Sequence, residues 1–223
     1  MSYIIYLLKH LLDLPLTIIW NFILFPIPVA CRLPVLFSHK IKIQRLTKGN
    51  IVLKGEVRPF GIKIGVEGVD GVAPERKSYI NLGKNARLVF NGKANLAKGV
   101  SLRCESGTIE FGKNFYSNCN MSVICSQHVS FGDDALIGWC VNIRDCDGHS
   151  IFCEGVETPS VKPVAIGNHV WIGAYVDILK GVTIGDGSIV AYRSCVLKAI
   201  PQERVLLGGY PARILKENVD WHV

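Results

Sequence analysis

Between Val164 and Val196 apolar residues recur at a fixed interval of six, at Ile166, Ile172, Ile178, Ile184, Val190 and Val196. A second row of small or β-branched residues runs two positions ahead of it: Val164, Val170, Val176, Val182, Ser188 and Ser194. This interval matches neither the helical period nor the simple alternation of an isolated strand. It fits a short strand and a turn, repeated, which is the signature of a parallel β-helix built from hexapeptides. Gly167, Gly173 and Gly185 follow three of the marks and read as turn residues. One aliphatic per hexad points inward, and stacked coils bury a continuous core that no single coil could bury.

The same step is legible further upstream, at Leu82, Leu88, Ala94 and Val100, then at Phe111, Ser117 and Val123, then at Phe131, Ile137 and Ile143, with small insertions between the runs. Ile143 and Ile166 are 23 positions apart, so a loop over 144–163, about seventeen residues beyond one hexad, leaves the coil. A long excursion from a strict repeat points to function. The pattern divides the chain into a hydrophobic segment 1–40, a stretch of alternating strands 41–78, the β-helix 79–200 and a tail 201–223. In the tail, Gly208 to Arg213 turns the chain and Ile214–Asn218 is predicted to form a short helix over the open end of the coil. The fold class is therefore all-β.

Segment 1–40 has its own composition. Ser2–Asp13 suits a short helix, which Pro15 interrupts, and Leu14–Cys31 carries no charge but contains Pro15, Pro26 and Pro28. It has neither the basic start nor the cleavage site of a signal peptide. Its length is borderline for a membrane span, and the prolines disrupt its end. Two readings stand: a segment lying in the bilayer interface, with Trp20, Phe22 and Phe25 as anchors, or an arm docked on the protein or a neighbouring subunit. The protein is expected in the cytoplasm, and the first reading makes it peripheral on the inner face of the cytoplasmic membrane. In 41–78, Gly65, Gly68 and Gly71 lack the spacing and the following helix of a nucleotide loop.

The chain's apolar fraction of 49% supports a sizeable core, and its 22 glycines suit repeated tight turns. Its net charge of +7 favours a polyanionic or phosphate-bearing partner. No compact nucleic-acid motif accompanies that charge, so nucleic acid is the weakest candidate. The eight cysteines show no paired ligand spacing and read as small apolar fillers.

His149 stands in Asp145-Cys146-Asp147-Gly148-His149-Ser150 on the long loop. Histidine is the side chain best suited to take a proton from a hydroxyl near neutral pH. A carboxylate can hold its tautomer, and Asp145 and Asp147 are the local candidates for that role. A surface histidine in a turn is the bland alternative. His169 reads as a corner residue. No histidine pair has zinc spacing, and no metal is expected. A serine-hydrolase elbow and a P-loop are also absent from the sequence, whereas Cys146 remains a conceivable nucleophile.

The stretches Ile166-Gly-Asn-His-Val-Trp171-Ile-Gly173, Gly181-Val-Thr-Ile-Gly185 and Gly209-Tyr-Pro211-Ala-Arg213 resemble the left-handed β-helix acyltransferases of the hexapeptide-repeat superfamily. The likeness covers roughly 80–216 and is nearest in flavour to sugar O-acetyltransferases related to the maltose and galactoside enzymes, of the bacterial surface-polysaccharide type. It implies a homotrimer with sites between subunits, acetyl-CoA as acyl donor, a sugar or glycan acceptor, and a loop histidine as general base, which His149 matches. For CoA it implies Gly173 and Ala174 beside the pantetheine, Trp171 near the acyl group, and Lys198, Arg213 and Lys216 near phosphates. Tyr192-Arg193 replaces the usual Ala-Gly, and Leu197 a threonine, so Tyr192 is expected to line and narrow the groove. N-acylation of an amino-sugar nucleotide, O-acetylation of serine, and a non-catalytic scaffold are the alternatives.

Overall fold

Every mark in the 164–196 repeat ends a short strand, and that strand pairs in parallel with strands of adjacent coils. A computed structural model describes residues 10–56, 58–68 and 76–222. Over these residues the chain winds through three parallel faces in turn. The first face holds nine strands, the second seven and the third six. The second face, which every coil crosses once, counts seven coils.

Inward side chains form continuous columns. On the third face Leu53, Phe90, Phe111, Phe131, Ile166 and Ile184 stand in register. Phe111 stacks on Phe90 and Phe131 with ring centroids 4.9 and 5.4 Å apart, and Phe115 meets Phe111 edge-on at 4.8 Å. Offset and edge-on contacts of this kind add to the area that the rings bury. On the second face Ile80, Leu102, Val123, Ile143, Ile178 and Val196 do the same.

The hexad step holds upstream with a change of phase. Leu88 and Ala94 are buried, but they fall in the second inward row, two positions ahead of the Phe90 and Leu96 columns. Glycines allow the coils to close on each other. A Cβ at Gly173 would lie 2.9 Å from the backbone N of Tyr192 and the O of Val190, on the coil below.

Two boundaries differ from the pattern reading. Stretch 41–78 is not a separate strand unit: Lys42–Arg45, Ile51–Leu53 and Ile62–Ile64 pair in parallel with the coils that follow, and the first coil starts at Val35–Phe37. Its corners have unequal lengths, which hides the step of six. The tail helix is absent. Leu206–Gly209 joins the first face, and Ala212–Lys216 pairs with it antiparallel. A strand supplies backbone partners to the sheet's open edge, which a helix could not do. Gly209, at φ +105°, turns that hairpin in a conformation few other residues adopt. The chain then returns, and Val219 N–H donates to the Arg204 carbonyl at 2.9 Å.

The opposite end is closed by helix α1 (Leu14–Leu24), followed by the short α2 (Ile27–Ala30). The expected Ser2–Asp13 helix lies largely outside the described residues; His10–Asp13 form a turn, and Pro15 sits in the first turn of α1, where its missing N–H costs nothing. α1 turns its polar residues inward. Thr17 Oγ1 and the Phe37 backbone exchange hydrogen bonds of 3.3 and 3.0 Å, and Asn21 donates to Val35 O at 2.7 Å and accepts from Val35 N–H at 3.2 Å. Both side chains are fully buried and stand in for the missing strand beside Val35–Phe37. Of the suggested anchors, Phe25 is buried in the core and Trp20 packs partly against it, while Phe22 points outward. Among the described residues no helix is long and apolar enough to cross a membrane.

Candidate active site

The long loop leaves the coil at the corner between the second and third faces, and it is a β-arm. Lys162 N–H donates to Asp145 O and Asp147 N–H to Ser160 O, both at 2.9 Å, and Cys146 bridges Val161. Further out, Ile151–Cys153 pairs antiparallel with Val156–Thr158 around a Glu154-Gly155 turn. Ile151, Phe152 and Val156 are exposed at its tip. His149 stands between the two ladders. It is exposed, and its ring makes no hydrogen bond among the described residues.

The two carboxylates are engaged elsewhere. Asp145 is fully buried and accepts from the backbone N–H groups of Ser126, Gln127 and His128 at 2.7, 2.7 and 2.9 Å, and from the Cys125 thiol at 3.5 Å. It therefore ties the root of the arm to the preceding coil and does not orient His149. A hydrogen bond with Cys104, burial and the Asp145 charge push the Cys125 thiol far up, so it stays a donor. Asp147 is paired with Lys180, which also donates to Pro159 O at 2.9 Å and so grips both strands of the arm. Cys146 is buried beside Val161 and has no contact with His149 that would make it a nucleophile.

At the arm's root lies a cavity of about 450 Å³ lined by Arg103, Glu105, Ile124, Arg144, Cys146, Asp147 and Gly148, among others. Arg103 and Arg144 are adjacent to Ile124 on the outward row of the second face, and Glu105 is held by a bidentate pair from Arg45 at 2.9 and 2.5 Å. Gly148, next to His149, is part of its rim. Arg144 opens the stretch 144–163 that the pattern marks as a loop, whereas nothing periodic marks Arg103, on an outward strand position, or Glu105 and Lys180, at corners.

Most of the residues matched to CoA contacts lie away from the arm. Trp171 is outward on the first face, at 41% exposure. Gly173, Ala174 and Tyr192 form the corner between the first and second faces. Arg213 and Lys216 lie on the exposed last strand of the first face, and Lys198 lies at the corner where the arm leaves. None of Lys198, Arg213 and Lys216 has a carboxylate partner among the described residues, so these cations are available to phosphates, and the residues present fit a CoA thioester. Gly173 has a packing reason of its own, since its missing Cβ leaves room for the next coil. Tyr192 meets Tyr175 edge-on at 5.6 Å, and the Arg193 guanidinium lies 5.6 Å from both rings. Both tyrosines are exposed at this corner. His169 is a corner residue as read. Its ring stacks 4.2 Å from that of Trp221, Trp221 Nε1–H donates to the His169 carbonyl at 2.9 Å, and Trp171 lies 6.1 Å from the same indole. Nothing periodic marks Trp221 in the sequence. Among the described residues no three His, Cys, Asp or Glu side chains converge as a metal site.

Residues 163–198 match the family described as bacterial transferase hexapeptide (six repeats). The galactoside O-acetyltransferase of Escherichia coli (strain K12) is 39% identical over 114 residues, covering 50% of this chain and 55% of that protein. WbbJ of the same strain, provisionally named a lipopolysaccharide biosynthesis O-acetyl transferase, is 33% identical over 142 residues, 57% of this chain and 71% of that protein. A hexapeptide-repeat acetyltransferase of Vibrio cholerae O1 biovar eltor, solved with acetyl coenzyme A, superposes with a TM-score of 0.51 at 34% identity, over 60% of this chain and 72% of that one. The chain thus spans between about half and three quarters of the length of these proteins. The repeat, the three parallel faces and this coverage together place the chain in the hexapeptide-repeat transferase family.

Proposed function

We propose that the protein is an acetyl-CoA-dependent O-acetyltransferase acting on a sugar hydroxyl, of a surface polysaccharide or its lipid-linked precursor. The observation that carries this reading is an exposed, unengaged His149 on an arm above a cavity with arginine and carboxylate side chains, in a coil whose relatives are named O-acetyltransferases. In this reading the coil is left-handed, and the acceptor lies in the cavity with Arg103, Arg144 and Glu105 holding its hydroxyls. His149 takes the proton of one hydroxyl, whose oxygen attacks the thioester carbonyl. The acetyl–oxygen bond forms, the carbon–sulfur bond breaks, and the proton passes to the CoA thiolate. Asp145 and Asp147 are positioning residues that fix the arm.

His149 and the Trp171–Tyr192 surface sit on different corners of one chain, separated by the second face. The site is therefore completed between protomers of a homotrimer, with the arm of one meeting the first face of the next. The exposed apolar tip at Ile151, Phe152 and Val156 supplies the contact.

Thermal-shift titration with CoA tests the donor claim. A ligand that binds only the native state raises its stability, by about 2.7 kcal/mol at a hundredfold excess over Kd. Arg213→Glu with Lys216→Glu should weaken the shift. A non-catalytic scaffold would show no shift with either protein.

A further inference from the structure

The orientation of α1 is inverted for a helix on a soluble domain. Its two buried polar residues, Thr17 and Asn21, face the coil, and Ile18, Ile19, Phe22 and Ile23 face outward at 45–55% exposure. Leu11 and Leu12 before it, and Ile27 after it, are 60–71% exposed. An exposed apolar face of this extent calls for an apolar partner.

Next to it lies a cavity of about 620 Å³, whose lining includes His10, Asp13, His39, Lys40, Arg76, Lys77 and Lys98. Leu11 and Leu12 separate His10 from Asp13 in the chain, so the apolar face and the cavity rim are continuous. Among the described residues that line it Asp13 is the only carboxylate, and it is taken up by His10 at 2.9 Å and by the His39 ring and backbone N–H at 2.6 and 2.7 Å. Arg76 is braced by the carbonyls of Gly99 and Asn120, which position its guanidinium without neutralising it. Lys40, Lys77 and Lys98 have no carboxylate partner among the described residues. Among the described lining residues four cations thus stand against one carboxylate, beside an apolar helix face.

We propose that α1 lies in the interface of an anionic bilayer by its outward face, and that the adjoining cavity takes the phosphate of a membrane lipid. Apolar burial and attraction to anionic headgroups act together in such a contact, and neither alone gives stable attachment. A second copy of the chain is the poorer occupant, since paired patches would bring like-charged cavities together. This inference does not depend on the acetyl-transfer reading.

The test is co-sedimentation of the full chain with phosphatidylcholine vesicles, with and without phosphatidylglycerol. The wild type should sediment with the anionic vesicles and weakly or not at all with the neutral ones. Lys40→Glu with Lys98→Glu should lower binding by about fivefold or more per site. Ile19→Glu with Phe22→Glu should abolish it while leaving the melting temperature and the CoA shift unchanged, because neither side chain contributes to the core. Equal binding to both kinds of vesicle would overturn the phosphate part. Inorganic phosphate, at constant ionic strength, should compete with the anionic vesicles; phosphate that raises the melting temperature without vesicles yet leaves vesicle binding unchanged would make the cavity a site for free phosphate and overturn the lipid assignment. Absence of vesicle binding, with the Ile19/Phe22 variant falling to a smaller species by light scattering, would assign the face to a second copy and overturn the proposal outright.

Discussion

The Asp145 carboxylate receives three backbone N–H groups from residues 126–128 and a thiol, all from the preceding coil. Asp145→Ala would leave those part-buried donors without their acceptor, at a cost of about 1–3 kcal/mol for each that water cannot reach. Urea denaturation should show a loss of about 2–4 kcal/mol. His149→Ala should show none, since the ring is exposed and unengaged. This asymmetry separates two residues that the motif alone presents as partners. The sequence shows a carboxylate four positions before a histidine, but chain proximity says nothing about which side of an arm each faces. The break in the repeat marks the arm that carries His149; the role of Asp145 was not legible, because its partners lie seventeen or more positions away.

At the scale of elements, legibility followed the evenness of the corners. Residues 164–196 have equal corners, so the step of six is plain and each mark ends a strand. Upstream the corners vary, the phase slips by two, and the first coils resemble independent strands. The last strand, Ala212–Lys216, lacks a repeat and depends on an edge that only the assembled coil presents. α1 misleads for a related reason. Thr17 and Asn21 stand four apart on one stripe of a nearly all-apolar helix, and a rule that buries apolar faces would turn that stripe outward. The open strand Val35–Phe37 reverses the choice, because its backbone groups need polar partners.

α1's attachment should also depend on pH. Burial raises the Asp13 pKa, but the His39 backbone N–H and the His10 and His39 rings together outweigh it, and the carboxyl ends below its usual range. A carboxyl depressed in the folded state contributes stability that is complete above its unfolded value, about 3.9, and is lost as pH falls through the lower folded value. Hydrogen exchange at the Val35 and Phe37 amides, which Asn21 and Thr17 accept from, should therefore quicken below about pH 4 relative to the intrinsic rate. Asp13→Asn should show less of that acid dependence. An unchanged acid profile in the variant would remove Asp13 from the docking of α1.

For the whole molecule, seven coils stack between two different caps. Four coil steps of about 4.8 Å separate the first coil from the fifth, which carries the arm, so His149 stands roughly 20 Å from the α1 end. An enzyme lying with α1 on a membrane would hold its base at the reach of a short glycan extending from a lipid. The proposed trimer is expected to depend on the arm tip. Phe152→Asp should lower the mass measured by light scattering from trimer to monomer, and should lower transfer activity while preserving the fold by circular dichroism. A trimer that persists with full activity would mean that the tip makes no subunit contact.

The most direct measurement is acetyl transfer from labelled acetyl-CoA to extracted cell-envelope glycans, with wild type and His149→Ala side by side. The wild type should place label on a glycan oxygen, released by mild base. His149→Ala should lose about a hundredfold or more of that rate while keeping its melting temperature and its CoA shift. Equal transfer by both proteins would remove His149 as the base, and absence of both transfer and a CoA shift in the wild type would refute the acetyltransferase itself.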